Sequence, residues 1–236
     1  SIRTYITHQE PPPGALDRAV VAVIDVLRAT TSITTALYNG AERVIPVRNQ
    51  QDAFREVEKN RDWLLAGEED GRRIPGFDLG NSPVRLLPEA VSGRTIVLST
   101  SNGTRAVKNA DTASDIIAAC FNNIDLAVDF LLPREDIVLQ CSGKLGEYSA
   151  EDFLFAGALA QRLVEKHDYE IDNRTELALL LWQHTDDIRK FIMHSEHGMY
   201  LAELGFTRDI EYASNLNSVP VLPVLRDGGF VVGGKG

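Results

Sequence analysis

Cysteine is almost absent from this chain. Cys120 and Cys141 are the only two in 236 residues, which excludes a disulfide-stapled scaffold. Both end apolar, strand-like runs and read as buried thiols in a reducing compartment. Basic charge is also scarce: 24 Lys and Arg stand against 34 Asp and Glu, a formal net charge of −10. That balance gives no electrostatic footprint for nucleic acid or an acidic membrane surface. No apolar run approaches the ~18 residues of a membrane span, and the opening Ser1-Ile2-Arg3-Thr4-Tyr5 has no basic-then-apolar signal pattern. The expectation is a cytoplasmic protein. Low-complexity segments and linkers are missing too, and Pro11-Pro12-Pro13-Gly14 is a stiff turn.

What is present is ordinary for a globular domain: 44% hydrophobic and 25% charged residues, enough to bury a sizeable core. The chain reads as one unit over 1–236, with two related α/β halves meeting near 110–135 as the open alternative. Ala19–Val26 is a near-continuous apolar run, as expected for a strand covered on both faces. Further strands are expected at Val44–Val47, Trp63–Ala66, Thr95–Ser99, Asp115–Ala119 and Ile137–Cys141, with late ones in Pro220–Leu225 and Phe230–Val232. Helical patterns fall between them, at about 50–59, 124–132 and 150–164, and the spacing predicts helices over 177–191 and 195–204. Alternation of this kind implies an α/β fold, layered α/β/α, with a largely parallel or mixed sheet. In such folds ligands collect at strand carboxyl ends and helix N-termini.

The most informative stretch follows Trp63–Ala66. Gly67 is followed by Glu68, Glu69 and Asp70, then Gly71, Arg72 and Arg73. Adjacent like charges repel, and a loop that only needed to turn gains nothing from them. The bland reading is a solvated acidic loop. The chemical one is a meeting of a divalent cation and a multiply charged anion, because Mg²⁺ takes one or two carboxylates plus substrate phosphate oxygens and Arg matches phosphate bidentately. The spacing does not say which of Glu68, Glu69 and Asp70 would touch metal.

Three more strand ends carry small polar loops. Asp25 closes the first long strand and is followed by Arg28, Thr30, Thr31 and Ser32. A threonine there can simply cap the helix, but a charge ending an apolar run is costly unless used. Asp25 is therefore expected as metal ligand or nucleophile and Arg28 as phosphate clamp, with Thr30, Thr31 and Ser32 beside it, and Ser142, Gly143 and Lys144 after Ile137–Cys141, as further groups on the anion. Leu27 stands where an Asp-x-Asp phosphatase would carry its second acid. Ser101, Asn102, Gly103, Thr104 and Arg105 offer hydroxyls, backbone donors and a cation at a helix start, although an Asn-Gly turn with caps explains them equally well. Ser142-Gly143-Lys144 lacks the glycine spacing and the following hydroxyl of an ATP-binding loop. Ser149-Ala150-Glu151-Asp152 resembles a capping box in which Asp152 caps the helix, and Glu147 and Glu151 are candidates for metal binding or general-base work. His184, His194 and His197 form no recognisable zinc pattern; Ser195-Glu196-His197-Gly198 suits the mouth of a pocket.

Five segments, 23–33, 65–83, 99–106, 141–159 and 195–213, together resemble the ComB family of 2-phosphosulfolactate phosphatases, in order along nearly the whole chain. The resemblance implies a Mg²⁺-dependent hydrolase that releases phosphate from 2-phospho-3-sulfolactate, giving 3-sulfolactate, a step of coenzyme M biosynthesis in methanogens. Its implied partner is a small anionic phosphorylated substrate, with no nucleic acid and no membrane; a homo-oligomer is compatible with an enzyme of this size. Read with the residues, it suggests Mg²⁺ held by Asp25 with Glu68, Glu69 or Asp70. Cations for the anion are Arg28, Arg72, Arg73, Arg105 and Lys144, Arg28 and the 101–104 loop stabilise phosphoryl charge, and Glu147 or Asp152 takes a proton from water. Attack by water and attack by Asp25 both stay open. The alternatives are a Mg²⁺-dependent phosphatase of another small phosphorylated hydroxy acid and a non-catalytic binder of anionic metabolites.

Overall fold

The computed structural model describes residues 1–144 and 146–233; Leu145, inside the 141–159 segment, lies outside them. The strands are β1 (Ile2–Tyr5), β2 (Val20–Ile24), β3 (Arg43–Val47), β4 (Leu64–Glu69), β5 (Arg72–Arg73), β6 (Thr95–Ser99), β7 (Asp115–Ala119), β8 (Ile137–Cys141), β9 (Pro223–Arg226) and β10 (Gly229–Val232). The helices are α1 (Ala29–Tyr38), α2 (Gln50–Glu58), α3 (Pro88–Val91), α4 (Gly103–Asn109), α5 (Ile124–Leu131), α6 (Ala150–Val164), α7 (Asn173–Gln183), α8 (Ile188–His194), α9 (Glu196–Glu203) and α10 (Thr207–Ala213).

All strands join one sheet, in the order β1-β8-β2-β7-β9-β10-β3-β6-β4-β5. Two blocks are parallel, β1-β8-β2-β7 and β3-β6-β4. The antiparallel hairpin β9–β10 links them, so the sheet is mixed and the fold is the layered α/β arrangement. The blocks are built from strands that alternate in which core they feed. Val20, Ala22 and Ile24 of β2, with Ile137 and Leu139 of β8, pack into one core with α5 and α6. Val21 and Val23, with Val138, pack into another that holds Ile33 and Ala36 of α1 and Ala106 and Val107 of α4. That second core also takes Val44, Ala66, Ile96 and Leu98 of the other block. Helices α1 and α4 are thus shared by both blocks, which brings the loops that start them into contact. A smaller core covers the far side of β3, β4 and β6 through Ala53 of α2. Both cysteines are buried and free.

Two expectations need correction. The helix expected over 177–191 is two helices, because Asp187 accepts from the Lys190 N–H and restarts the chain as α8. The acidic loop is a strand and a tight hairpin: β4 runs on through Glu68 and Glu69, which pair with Arg73 and Arg72 of β5. Opposite charges face each other across that ladder, a favourable cross-strand arrangement. The turn is Asp70-Gly71, with φ of 50° and 73°, the left-handed pair that two-residue hairpins require.

Candidate active site

Asp25 leaves β2 at the carboxyl end and is only 7% exposed. Its loop is held by internal hydrogen bonds. Asp25 Oδ1 accepts from the Ala29 N–H at 2.9 Å, capping α1 from four residues back. Thr30 Oγ1 donates to the Asp25 carbonyl and accepts from its N–H, Thr31 Oγ1 donates to the Val26 carbonyl, and Ser32 Oγ donates to the Asn81 carbonyl. These three hydroxyls, expected on an anion, fix the loop behind the cavity. Across from Asp25 lies Gly103 at the start of α4. A Cβ there would stand 2.6 Å from Asp25 Oδ2 and 2.5 Å from the Ala29 Cβ, so only glycine lets α4 approach the carboxylate this closely.

The cavity beside Asp25 holds about 250 Å³ and is lined by Asp25, Arg28, Glu68, Asp70, Asn81, Thr100–Asn102, Lys144, His197 and Tyr200, among others. The carboxyl ends of β2, β4, β6 and β8 all contribute. Arg28 is buried and grips two elements at once: Nη1 donates to Asp209 Oδ2 at 2.8 Å and Nη2 to the Gly71 carbonyl at 2.7 Å. Its guanidinium lies 4.3 Å from the Phe206 ring centroid. Arg carries five N–H donors, so the clamp leaves donors for the cavity. Lys144 lies 3.4 Å from Glu196 and 4.8 Å from the Tyr200 ring centroid, and Tyr200 donates to the Asp70 carbonyl.

Behind Asp25 stand two more buried acids on α6. Asp152 Oδ1 accepts from the Val26 N–H at 2.8 Å, and Ser149 makes no side-chain cap, so the expected capping box is replaced by a tie to the β2–α1 loop. Glu151 Oε1 accepts from His197 Nδ1 at 2.9 Å. Burial pushes Asp25 up to about 6, with Glu68 and Glu151 adding to it against the opposing pull of the Ala29 N–H and His197. Burial, then the charges of Asp25 and Glu151, raises Asp152 well above the usual carboxylate range. Burial also acts on Glu151, but the hydrogen bond and charge of His197 outweigh it and hold its pKa below the ordinary value.

The remaining expected residues fall in three places. Glu68 braces the site, accepting from the Ser101 N–H at 2.9 Å and the Gly71 N–H at 2.8 Å. Glu69 and Arg105 line a neighbouring groove that also touches Glu68 and Asp70, while Arg72 and Arg73 are exposed on the hairpin, Arg73 donating to the Asp78 carbonyl. Thr104 and Gly103 are buried beneath the loop, Thr104 exchanging hydrogen bonds with Thr100. Ser142 and Gly143 are buried behind Lys144, and Glu147 is exposed, its backbone paired with Lys144. Asn81 and Tyr200 line the cavity with no sequence signal that marks them; Thr100 lines it from the polar loop before α4, and His197, expected at the mouth, lies on its wall.

Among the described residues no three His, Cys, Asp or Glu side chains gather into a ready-made metal cage. The lining nevertheless suits Mg²⁺, which takes few protein ligands. Three carboxylates, Asp25, Glu68 and Asp70, face two permanent cations, Arg28 and Lys144. Of the three, Glu68 is committed to backbone N–H groups, which leaves Asp25 and Asp70 as the lining carboxylates that fit a cation.

A buried acid, a clamped guanidinium and a lysine surround a small cavity at the strand carboxyl ends of this α/β fold. The model of a family described as 2-phosphosulpholactate phosphatase matches residues 5–228, and the chain belongs to that family of phosphatases. A protein of Caldanaerobacter subterraneus subsp. tengcongensis named "Probable 2-phosphosulfolactate phosphatase" is 37% identical over 232 residues, 96% of each chain. Proteins of the same name from Thermotoga petrophila and Carboxydothermus hydrogenoformans are 38% and 40% identical, covering 94% and 95% of this chain and 95% and 94% of their own. Among the described residues no helix is long and apolar enough to cross a membrane.

Proposed function

We propose that the chain is a Mg²⁺-dependent phosphatase that hydrolyses 2-phospho-3-sulfolactate to 3-sulfolactate and inorganic phosphate. Family membership and the names of the relatives support the substrate. The observation that carries the chemistry is Asp25, a carboxylate kept in a nearly dry wall at the mouth of a helix, where burial costs it stability.

The substrate has a phosphate, a carboxylate and a sulfonate, roughly four negative charges when ionised. Arg28 and Lys144 receive that charge from the protein side, and the Ser101–Asn102 segment offers polar groups beside them. Arg28 is held by Asp209 and Gly71 before any ligand arrives, so its remaining donors are preorganised for the phosphoryl oxygens. Asp25, with Asp70 on the same wall, would hold Mg²⁺. When bound, Mg²⁺ supplies Lewis-acid neutralisation of the phosphoryl group and activation of water. Ala29 and Gly103 fix the direction of the Asp25 carboxylate.

The experiment is inorganic phosphate release from 2-phospho-3-sulfolactate with Mg²⁺ and again with EDTA, beside 2-phospholactate and phosphoglycolate. Release that needs Mg²⁺ and weakens without the sulfonate is expected. Equal release from all three esters would move the specificity to a broader class of phosphorylated hydroxy acids, and release untouched by EDTA would remove the metal.

A further inference from the structure

We propose that His197 is the general acid of the reaction, protonating the ester oxygen as the phosphoryl group departs, and that Glu151 is the residue that positions it. The inference rests on the phosphatase reading above. His197, second residue of α9, lies on the cavity wall with its side chain 18% exposed, and its Nδ1 is 2.9 Å from Glu151 Oε1. The Glu151 side chain is 1% exposed. With Nδ1 bound to a carboxylate behind it, the other ring nitrogen, Nε2, is the one left to act, and the ring is oriented as histidines backed by carboxylates generally are.

Folding alone does not account for this pair. Burying a carboxylate to pin one imidazole is no better for stability than an apolar contact of the same volume, and α6 meets α8 and α9 through Leu154, Phe155, Ile192 and Leu201 already. The chemistry does account for it. The leaving group is an alkoxide of a secondary alcohol, which departs poorly without a proton. Cations on the phosphoryl oxygens do nothing for that atom. Of the other proton-bearing lining groups, Tyr200 donates to the Asp70 carbonyl at 3.0 Å, Lys144 lies against Glu196 and the Tyr200 ring, and Asp25 is taken by Mg²⁺ in the phosphatase reading.

The step balances as follows. The oxygen of water bonds to phosphorus, the bond from phosphorus to the ester oxygen breaks, and its electron pair stays on that oxygen. The oxygen takes the proton of His197 Nε2, giving the free alcohol, neutral imidazole and dihydrogen phosphate. The phosphate then returns one proton to the imidazole and leaves as the monohydrogen dianion.

The test is the His197→Asn variant, whose amide keeps a donor near the Nδ1 position for Glu151 while removing the acid. Turnover of 2-phospho-3-sulfolactate should fall roughly 10²- to 10³-fold. The ¹⁸O isotope effect on the bridging oxygen should grow, because that oxygen then leaves with its charge uncompensated. Glu151→Gln should lower kcat with KM nearly unchanged. A lost rate with an unchanged bridging isotope effect would overturn the proposal and make the pair structural; so would full activity of His197→Asn. A wild-type chain that releases phosphate from no ester overturns the phosphatase reading, and this inference with it.

Discussion

Two acid-rich regions border the same cavity and are held in opposite ways. On the β4–β5 hairpin, Glu68, Glu69 and Asp70 are neighbours in sequence that the strand pleat and turn send apart: one braces backbone N–H groups, one lines a separate groove, one sits in the turn. Behind β2, Asp25 and the adjacent pair Glu151 and Asp152 of α6 come from distant parts of the chain and meet in a buried wall. Among the hairpin acids, Glu69 and Asp70 stay exposed to solvent and Glu68 is satisfied by backbone N–H groups. The buried acids gain hydrogen bonds but lose hydration, and at Asp25 and Asp152 the loss dominates. Asp25 is retained against that penalty in the cavity wall, whereas Glu68 is held at little cost by two backbone N–H groups.

The sharpest way to break the comparison is to neutralise one acid in each region. Asp25→Asn keeps the acceptor for the Ala29 N–H and should cut phosphate release by about 10³-fold or more, on the scale of removing a principal charged group from an active site, with an unchanged circular dichroism spectrum. A rate within tenfold of wild type would remove Asp25 from the mechanism. Next in size, Arg28→Ala strands Asp209 in the interior and should destabilise the fold by about 3–5 kcal/mol, as broken buried ion pairs do, read from urea unfolding. A smaller effect is expected from Glu68→Gln, which swaps one of two acceptors for a donor facing an N–H. A cost of about 1–2 kcal/mol, with a modest drop in turnover, would mark Glu68 as a brace. Glu69→Gln should change phosphate release less than about twofold, as surface changes usually do; a loss like that of Asp25→Asn would bring Glu69 into the site.

Much of the fold was legible because its signals are local. Val20–Ile24 is apolar throughout and Ile137–Cys141 is broken only by Gln140, as suits strands feeding two cores, and their polar continuations announce where a ligand would sit. The hairpin looks like a loop in sequence although it carries an Asp-Gly turn, because three adjacent acids hide the strand pattern that leads into it. The long helix expected over 177–191 failed at Asp187, whose cap is visible only once the preceding turn is known to bend. In the site, Asp25, Arg28 and Lys144 could be picked out as charges ending apolar runs. Asn81 and Tyr200 could not, since neither spacing nor composition connects them to the cavity; only packing of α9 and the 79–83 segment against the hairpin brings them there. The anchoring roles of Thr30, Thr31, Ser32 and Thr104 were likewise out of reach, because a hydroxyl offered to an anion and one offered to its own backbone look alike in sequence.

The central claim, that Asp25 is kept ionisable in the wall at a cost to the fold, is tested by measuring unfolding free energies of wild type and Asp25→Asn from pH 3.5 to 7.5 in metal-free buffer. The folded carboxyl titrates near 6 against an ordinary value of 3.8. Between those values the native state therefore holds more protons than the unfolded one, and wild-type stability falls as pH rises through them. The two proteins should be equally stable at the acid end, and the variant should pull ahead by about 3 kcal/mol above pH 6. A variant no more stable than wild type at pH 7.5 would contradict the account.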